Sequence, residues 1–191
     1  MFEKWIRYVD LVFKYSQKDK LTTDYATQVA NFASGKAAMI QQGNWIQGDI
    51  DKVAQLNLGM MPIPIDDGGK ERIYTGPANF WIVNGKSEHP EEAKAFLNWL
   101  VSSETGKTYL VRDFKFIPAL VTIPATEADI GQLGAAVSQQ AKEAGGWHWG
   151  RYPDGVIQGW GAAMQEYQGG RIDKDQLFDK LDQAVKEIVR K

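Results

Sequence analysis

Along most of this chain the apolar residues return every three or four positions, and shorter apolar runs between those stretches are closed off by glycine or proline. That alternation restricts the fold to a helix-rich α/β arrangement, because each amphipathic helix must bury its stripe against another element. Trp5, Tyr8, Val9, Val12 and Phe13 form the first stripe, on a helix expected from Phe2 to Ser16. After a polar break at Lys18–Leu21, a second helix is expected over Tyr25–Ala33. Pro90, Glu91 and Glu92 suit a first helical turn, and Ala93, Phe96, Leu97, Leu100 and Val101 then share one face. Ser102 or Ser103 caps a further helix that ends near Arg112. Thr126 caps a helix from Glu127 to about Glu143, with Ile130, Leu133 and Val137 inward. Asp154 caps the next, whose stripe of Val156, Trp160, Ala163, Met164 and Tyr167 places Trp160 in the core. Gly169 and Gly170 end it. Asp173 opens the last helix, with Leu177, Leu181, Ala184, Val185 and Ile188 inward.

Four short runs read as strands. They are Ala37–Ile40, Leu56 to Pro62 (where proline removes a ladder donor), Glu71–Thr75 and Asn79–Val83. Asp66-Asp-Gly-Gly is a turn by composition, and Thr75-Gly-Pro-Ala-Asn79 is a kinked link with exposed backbone amides.

The bulk properties remove several function classes. The 191 residues suit one domain or parts of two. Twenty-two basic residues against 24 acidic ones give a formal charge of −2 without any block of like charge, so no nucleic-acid partner is expected. There is no cysteine, hence no disulfide framework and no thiolate chemistry. No apolar run approaches a membrane span, and Met1-Phe-Glu-Lys-Trp5 does not read as an export signal. Phosphate-binding glycine loops and a nucleophile-elbow serine motif are missing. His89 and His148, the two histidines, lack metal-ligand spacing, so neither a metal site nor a cofactor is expected. The carboxylate pairs Asp66-Asp67 and Glu91-Glu92 could suggest glycosidase chemistry, but they have ordinary work as turn and helix-start residues. The chain is read as a non-enzyme.

What stands out is the aromatic content, seven Trp with seven Tyr and eight Phe. Two stretches concentrate it. In the first, a helix breaks at Gly35, a short run follows, and a turn at Gly43 presents Asn44 and Trp45; glycine suits the positive φ such junctions often require. A polar amide beside a large aromatic at a strand end is a common ligand-binding position, while the plain alternative makes Trp45 a core residue. In the second, Gly145-Gly-Trp-His-Trp-Gly-Arg-Tyr-Pro153, strict alternation would aim Trp147 and Trp149 to one side. They either lock the loop against the body or form a stacking platform with Arg151 as donor.

Phe32-x-Ser-Gly-Lys-Ala-Ala-Met39 with Gly43-x-Trp45 resembles the extracellular solute-binding proteins of ABC importers, in their carbohydrate-binding, maltose-binding-protein-like family. Pro90-Glu-Glu-Ala-Lys-Ala-Phe-Leu-Asn-Trp-Leu100 with Ser102-Ser-Glu-Thr-Gly106, and then Phe116-Ile-Pro118, are similar to the same family and keep its order. The resemblance implies the C-terminal half of such a protein. Its fold would be type II periplasmic-binding-protein-like, a small mixed sheet flanked by helices, with an incomplete second lobe. It implies non-catalytic binding of a sugar or oligosaccharide for delivery to the importer's membrane subunits, outside the cell or in the periplasm, with possible lipid anchoring. A glycan-active enzyme or accessory carbohydrate-binding module is the alternative. Ligand contacts would come from Asn44, Trp45, Asn79, Trp147, Trp149 and Arg151. Residues 1–75 and 125–191 would belong to the C-terminal lobe, and 76–124 would cross to the other. The apolar face at Phe96, Leu97 and Leu100 would then repack or drive self-association, and a complete cleft would not form in these 191 residues.

Overall fold

The computed structural model describes residues 2–65, 72–76, 80–148, 153 and 155–189. They form eight α-helices, a 3₁₀ turn, a π-helical turn and two three-residue strands, grouped in two compact units.

One unit comprises Met1–Asp24, Pro64–Glu71 and His148–Lys191. Its helices are α1 (Phe2–Tyr15), α7 (Val156–Gln168) and α8 (Lys174–Val189). Ile6, Ala163, Leu177 and Leu181 are buried together, with Trp5, Trp160, Met164 and Phe178 packed on them. Each large apolar side chain in such a cluster stabilises the fold by about 1.5–3 kcal/mol. Trp160 belongs to this core as expected, and its indole N–H donates to the Leu181 carbonyl at 3.0 Å. Helices α7 and α8 approach closely because Gly159 faces Ala184; a Cβ there would lie 2.8 Å from the alanine methyl. At the start of α8, Asp173 and Gln176 cap reciprocally: the Gln176 N–H donates to Asp173 Oδ1 and the Asp173 N–H to Gln176 Oε1, both at 2.9 Å. Gly170 closes α7 with φ +70°, and the Arg171 N–H reaches back to the Glu166 carbonyl. Asp154, the expected cap of α7, lies outside the described residues.

The other unit comprises Tyr25–Ile63 and Arg72–Trp147. It holds α2 (Tyr25–Ala33), a 3₁₀ turn (Asn44–Ile46), α3 (Gln47–Asp51), α4 (Pro90–Ser102), α5 (Glu104–Thr108), a π-helical turn (Tyr109–Asp113) and α6 (Glu127–Ala144). Val29, Ala33, Ile46, Ile50 and Leu133 form one buried cluster; Val111, Ile123 and Ile130 form a second. Ser103 is the cap between α4 and α5, its Oγ accepting from the Gly106 N–H at 2.9 Å. On α4 Leu100 is buried and Leu97 half-buried, but Phe96 stays exposed and stacks on Trp99 at 5.8 Å.

The helix-rich expectation holds, and the mixed sheet does not. Among the described residues the sheet is β1 (Ile73–Thr75) paired with β2 (Gly146–His148). Ala37–Ile40, Leu56–Pro62 and 80–83 carry no strand. The reason is visible at Leu56–Met60. Leu56, Leu58 and Met60 are half-buried and alternate with exposed Asn57 and Gly59, a period of two. Side chains of α6, not a ladder, take up its backbone groups: the Leu58 N–H donates to Gln132 Oε1 at 2.7 Å, and Gln140 Nε2 donates to the Met60 carbonyl.

Helix α6 is itself interrupted. Gly131 has φ +77° and ψ 171°, so the helix breaks after its first turn and restarts. Ahead of the break, Asp129 accepts from the Thr126 N–H at 3.0 Å, the Thr126 hydroxyl at 2.8 Å and Arg112 Nε at 2.8 Å. Those bonds, the backbone one foremost, hold its carboxyl down at about 2 against an ordinary 3.8.

Candidate functional site

The turn that carries Asn44 and Trp45 is built from both sides. Upstream, α2 ends at Ala33 and is followed by Gly35, whose positive φ of +75° is what a helix stop calls for. Gln42 Nε2 donates to Gln28 Oε1 at 2.7 Å, tying the approach to the turn back onto α2. Downstream, Ile46 and Ile50 are buried and anchor α3 in the core.

Gly43 serves a different purpose from the one its position suggested. Its φ is −104° and ψ 179°, extended backbone open to any residue. What excludes a side chain is the indole of Trp45, which lies across it: a Cβ would sit 2.1 Å from Cζ3 and 2.4 Å from Cη2. The glycine therefore makes room for the ring. Trp45 keeps 52% of its surface exposed while Ile46, next in sequence, keeps 2%. It is not a core residue. Asn44 is half-buried beside it. Together they give an exposed aromatic ring beside a half-buried polar amide, group types that recur in small-molecule sites.

The structure does not bring the remaining candidates into this description. Asn79, Trp149 and Arg151 lie outside the described residues, and for Trp147 only the backbone, in β2, is described. Among the described residues no group of three or more His, Asp or Glu side chains could hold a metal ion, and no helix is long and apolar enough to cross a membrane.

One residue of the turn was not legible in the sequence. Gln47 is the buried polar side chain among the described residues, at 4% exposure. Its Oε1 accepts from the Leu133 N–H at 3.0 Å, and its Nε2 donates to Asp51 Oδ1 at 2.8 Å. A glycine within a helical pattern, Gly131, was the available signal, since it marks close approach by another group.

Residues 1–107 match the family of bacterial extracellular solute-binding proteins, and the chain belongs to that family. It is similar to the maltotriose-binding protein of Pyrococcus abyssi (strain GE5 / Orsay), 31% identical over 103 residues. That alignment covers 52% of this chain and 22% of the relative, so the match spans about a fifth of the longer protein. No solved structure matches the chain.

Proposed function

We propose that this chain binds a sugar or oligosaccharide, without catalysis, for delivery to the membrane subunits of an ABC importer. The observation that carries the reading is the Trp45 indole, half-exposed and laid over Gly43 within the family-matched residues. A pyranose would stack its C–H face on that ring, and Asn44 would meet a hydroxyl. The similarity to a maltotriose-binding protein supports a short oligosaccharide as ligand. Asn79 would add a contact from the segment that crosses to the second lobe, and Trp147, Trp149 and Arg151 would add contacts from a loop on the rim of the cleft, within a type II binding-protein fold. Residues 1–75 and 125–191 would form one lobe and 76–124 part of the other. The protein would act outside the cell or in the periplasm, as its family does.

Calorimetry with maltotriose, and with a panel of mono- and oligosaccharides, tests this on wild type and Trp45→Ala. Weak saturable heat in the wild type, in keeping with an incomplete cleft, that falls at least about tenfold further in the variant is the expected result. A chain that binds no member of the panel overturns the reading. Hydrolysis products in the mixture would move the assignment to a glycan-active enzyme.

A further inference from the structure

We infer that Gln47 is the positioning residue of the Trp45 turn, acting by clamping it to the break in α6; its relevance to sugar binding rests on the function proposed above. The break leaves the Leu133 amide at the head of a restarted helix, where the first turn has no intrahelical acceptor. Gln47 Oε1 supplies that acceptor at 3.0 Å from a residue 86 positions away in sequence. Its other end is held too, through the 2.8 Å bond from Nε2 to Asp51. Both polar ends of the amide are thus committed, and the side chain has one conformation to adopt.

Gly131 fits this arrangement in two ways. Its φ of +77° lies in the region that favours glycine. A Cβ there would also meet Gln47 Cγ at 2.5 Å, Cδ at 2.8 Å and Oε1 at 2.9 Å. The break therefore opens the space that Gln47 fills, and Gln47 satisfies the amide that the break exposes. Ile46 and Ile50 hold α3 down by apolar contact, which sets depth but not rotation. One directional bond from the intervening residue to α6, with its side chain steadied by the bond to Asp51 within α3, adds the rotation. Trp45 lies two residues before Gln47 on the contiguous run from Asn44 to Asp51, so the clamp sets the direction in which its side chain leaves the backbone, and the space at Gly43 receives the ring.

The test uses the whole chain labelled with 5-fluorotryptophan, with the Trp45 fluorine resonance assigned by Trp45→Phe. Gln47→Met keeps the length of the side chain and removes both hydrogen bonds. It should shift and broaden the Trp45 resonance in the absence of any ligand. Ile50→Val, at a fully buried anchor of the same helix, should lower stability and leave that resonance in place. If Gln47→Met leaves the signal unmoved, or Ile50→Val moves it equally, general packing positions the turn and the inference is wrong. Should Gln47→Met not fold, Gln47→Glu combined with Asp51→Asn keeps an acceptor for Leu133 and exchanges donor with acceptor across the second bond. That pair must restore the wild-type resonance, and a folded pair with a displaced one refutes the clamp. A second arm titrates maltotriose. A displaced resonance with at least a tenfold affinity loss supports both readings; a displaced resonance in a chain whose wild type binds no sugar keeps the clamp and removes the sugar.

Discussion

Gly43→Ala separates the placement of the Trp45 ring from its presence. The new methyl carbon would stand 2.1, 2.4 and 2.5 Å from three ring carbons of Trp45. Carbon atoms rest at about 3.5–4.0 Å, so the ring must retreat by roughly 1.4 Å or more. The backbone gives no resistance, because φ −104° and ψ 179° suit alanine. The ring is the part that yields, and with half its surface in water it can do so at a cost of about 0.5–1.5 kcal/mol if it leaves its rotamer well. That is small against the 5–15 kcal/mol of a typical domain. Urea unfolding should therefore move little, while maltotriose affinity by calorimetry should fall about tenfold, equivalent to about 1.4 kcal/mol. A loss of stability beyond about 3 kcal/mol would mean the ring is wedged into the fold. Unchanged affinity would mean its direction has no part in binding.

Two further outcomes are expected. Asp129 has its carboxyl lowered to about 2 from 3.8, so its contribution is complete above the ordinary value and disappears as pH falls through about 2. Amide signals of the first turn of α6 should weaken over that range, and Asp129→Asn should abolish the pH dependence there; a wild-type profile in the variant would refute the assignment. The exposed Phe96–Trp99 stack should drive concentration-dependent association, seen by light scattering and lost in Phe96→Lys. A wild-type chain that stays monomeric at every concentration would remove that surface.

The helices were readable because their signals are local. Tyr25–Ala33 matches to the residue, and the Glu127 start and the Asp173 cap follow from side chains within one turn. Even there, the first stripe left out Ile6, the most buried residue of α1, because the flanking aromatics dominate the pattern. Of the strand runs, Glu71–Thr75 holds as β1 over Ile73–Thr75, and the other three failed for the opposite reason. A period of two at Leu56–Met60 specifies which side chains face the core, but a ladder needs a partner that local pattern does not name. Gly131 and Gly134 look alike within Ile-Gly-Gln-Leu-Gly, yet Gly131 alone has the positive φ, and its neighbour Gln47 comes from another part of the chain. Of the site, the Asn44–Trp45 turn was legible from its glycine and aromatic; the buried amide beneath it was not, since nothing local marks a glutamine as buried.

The segment through Leu58 and Met60 has a consequence for amide exchange. In a sheet, a backbone N–H is protected by a neighbouring backbone, and substitution of side chains leaves the partner in place. Here the Leu58 amide is held by a glutamine side chain, and the Met60 carbonyl by another. Protection of Leu58 therefore depends on the identity of residue 132: Gln132→Met would let that amide exchange without touching a single backbone bond. Order along this stretch is written one side chain at a time, and drift at one helix surface position can release it.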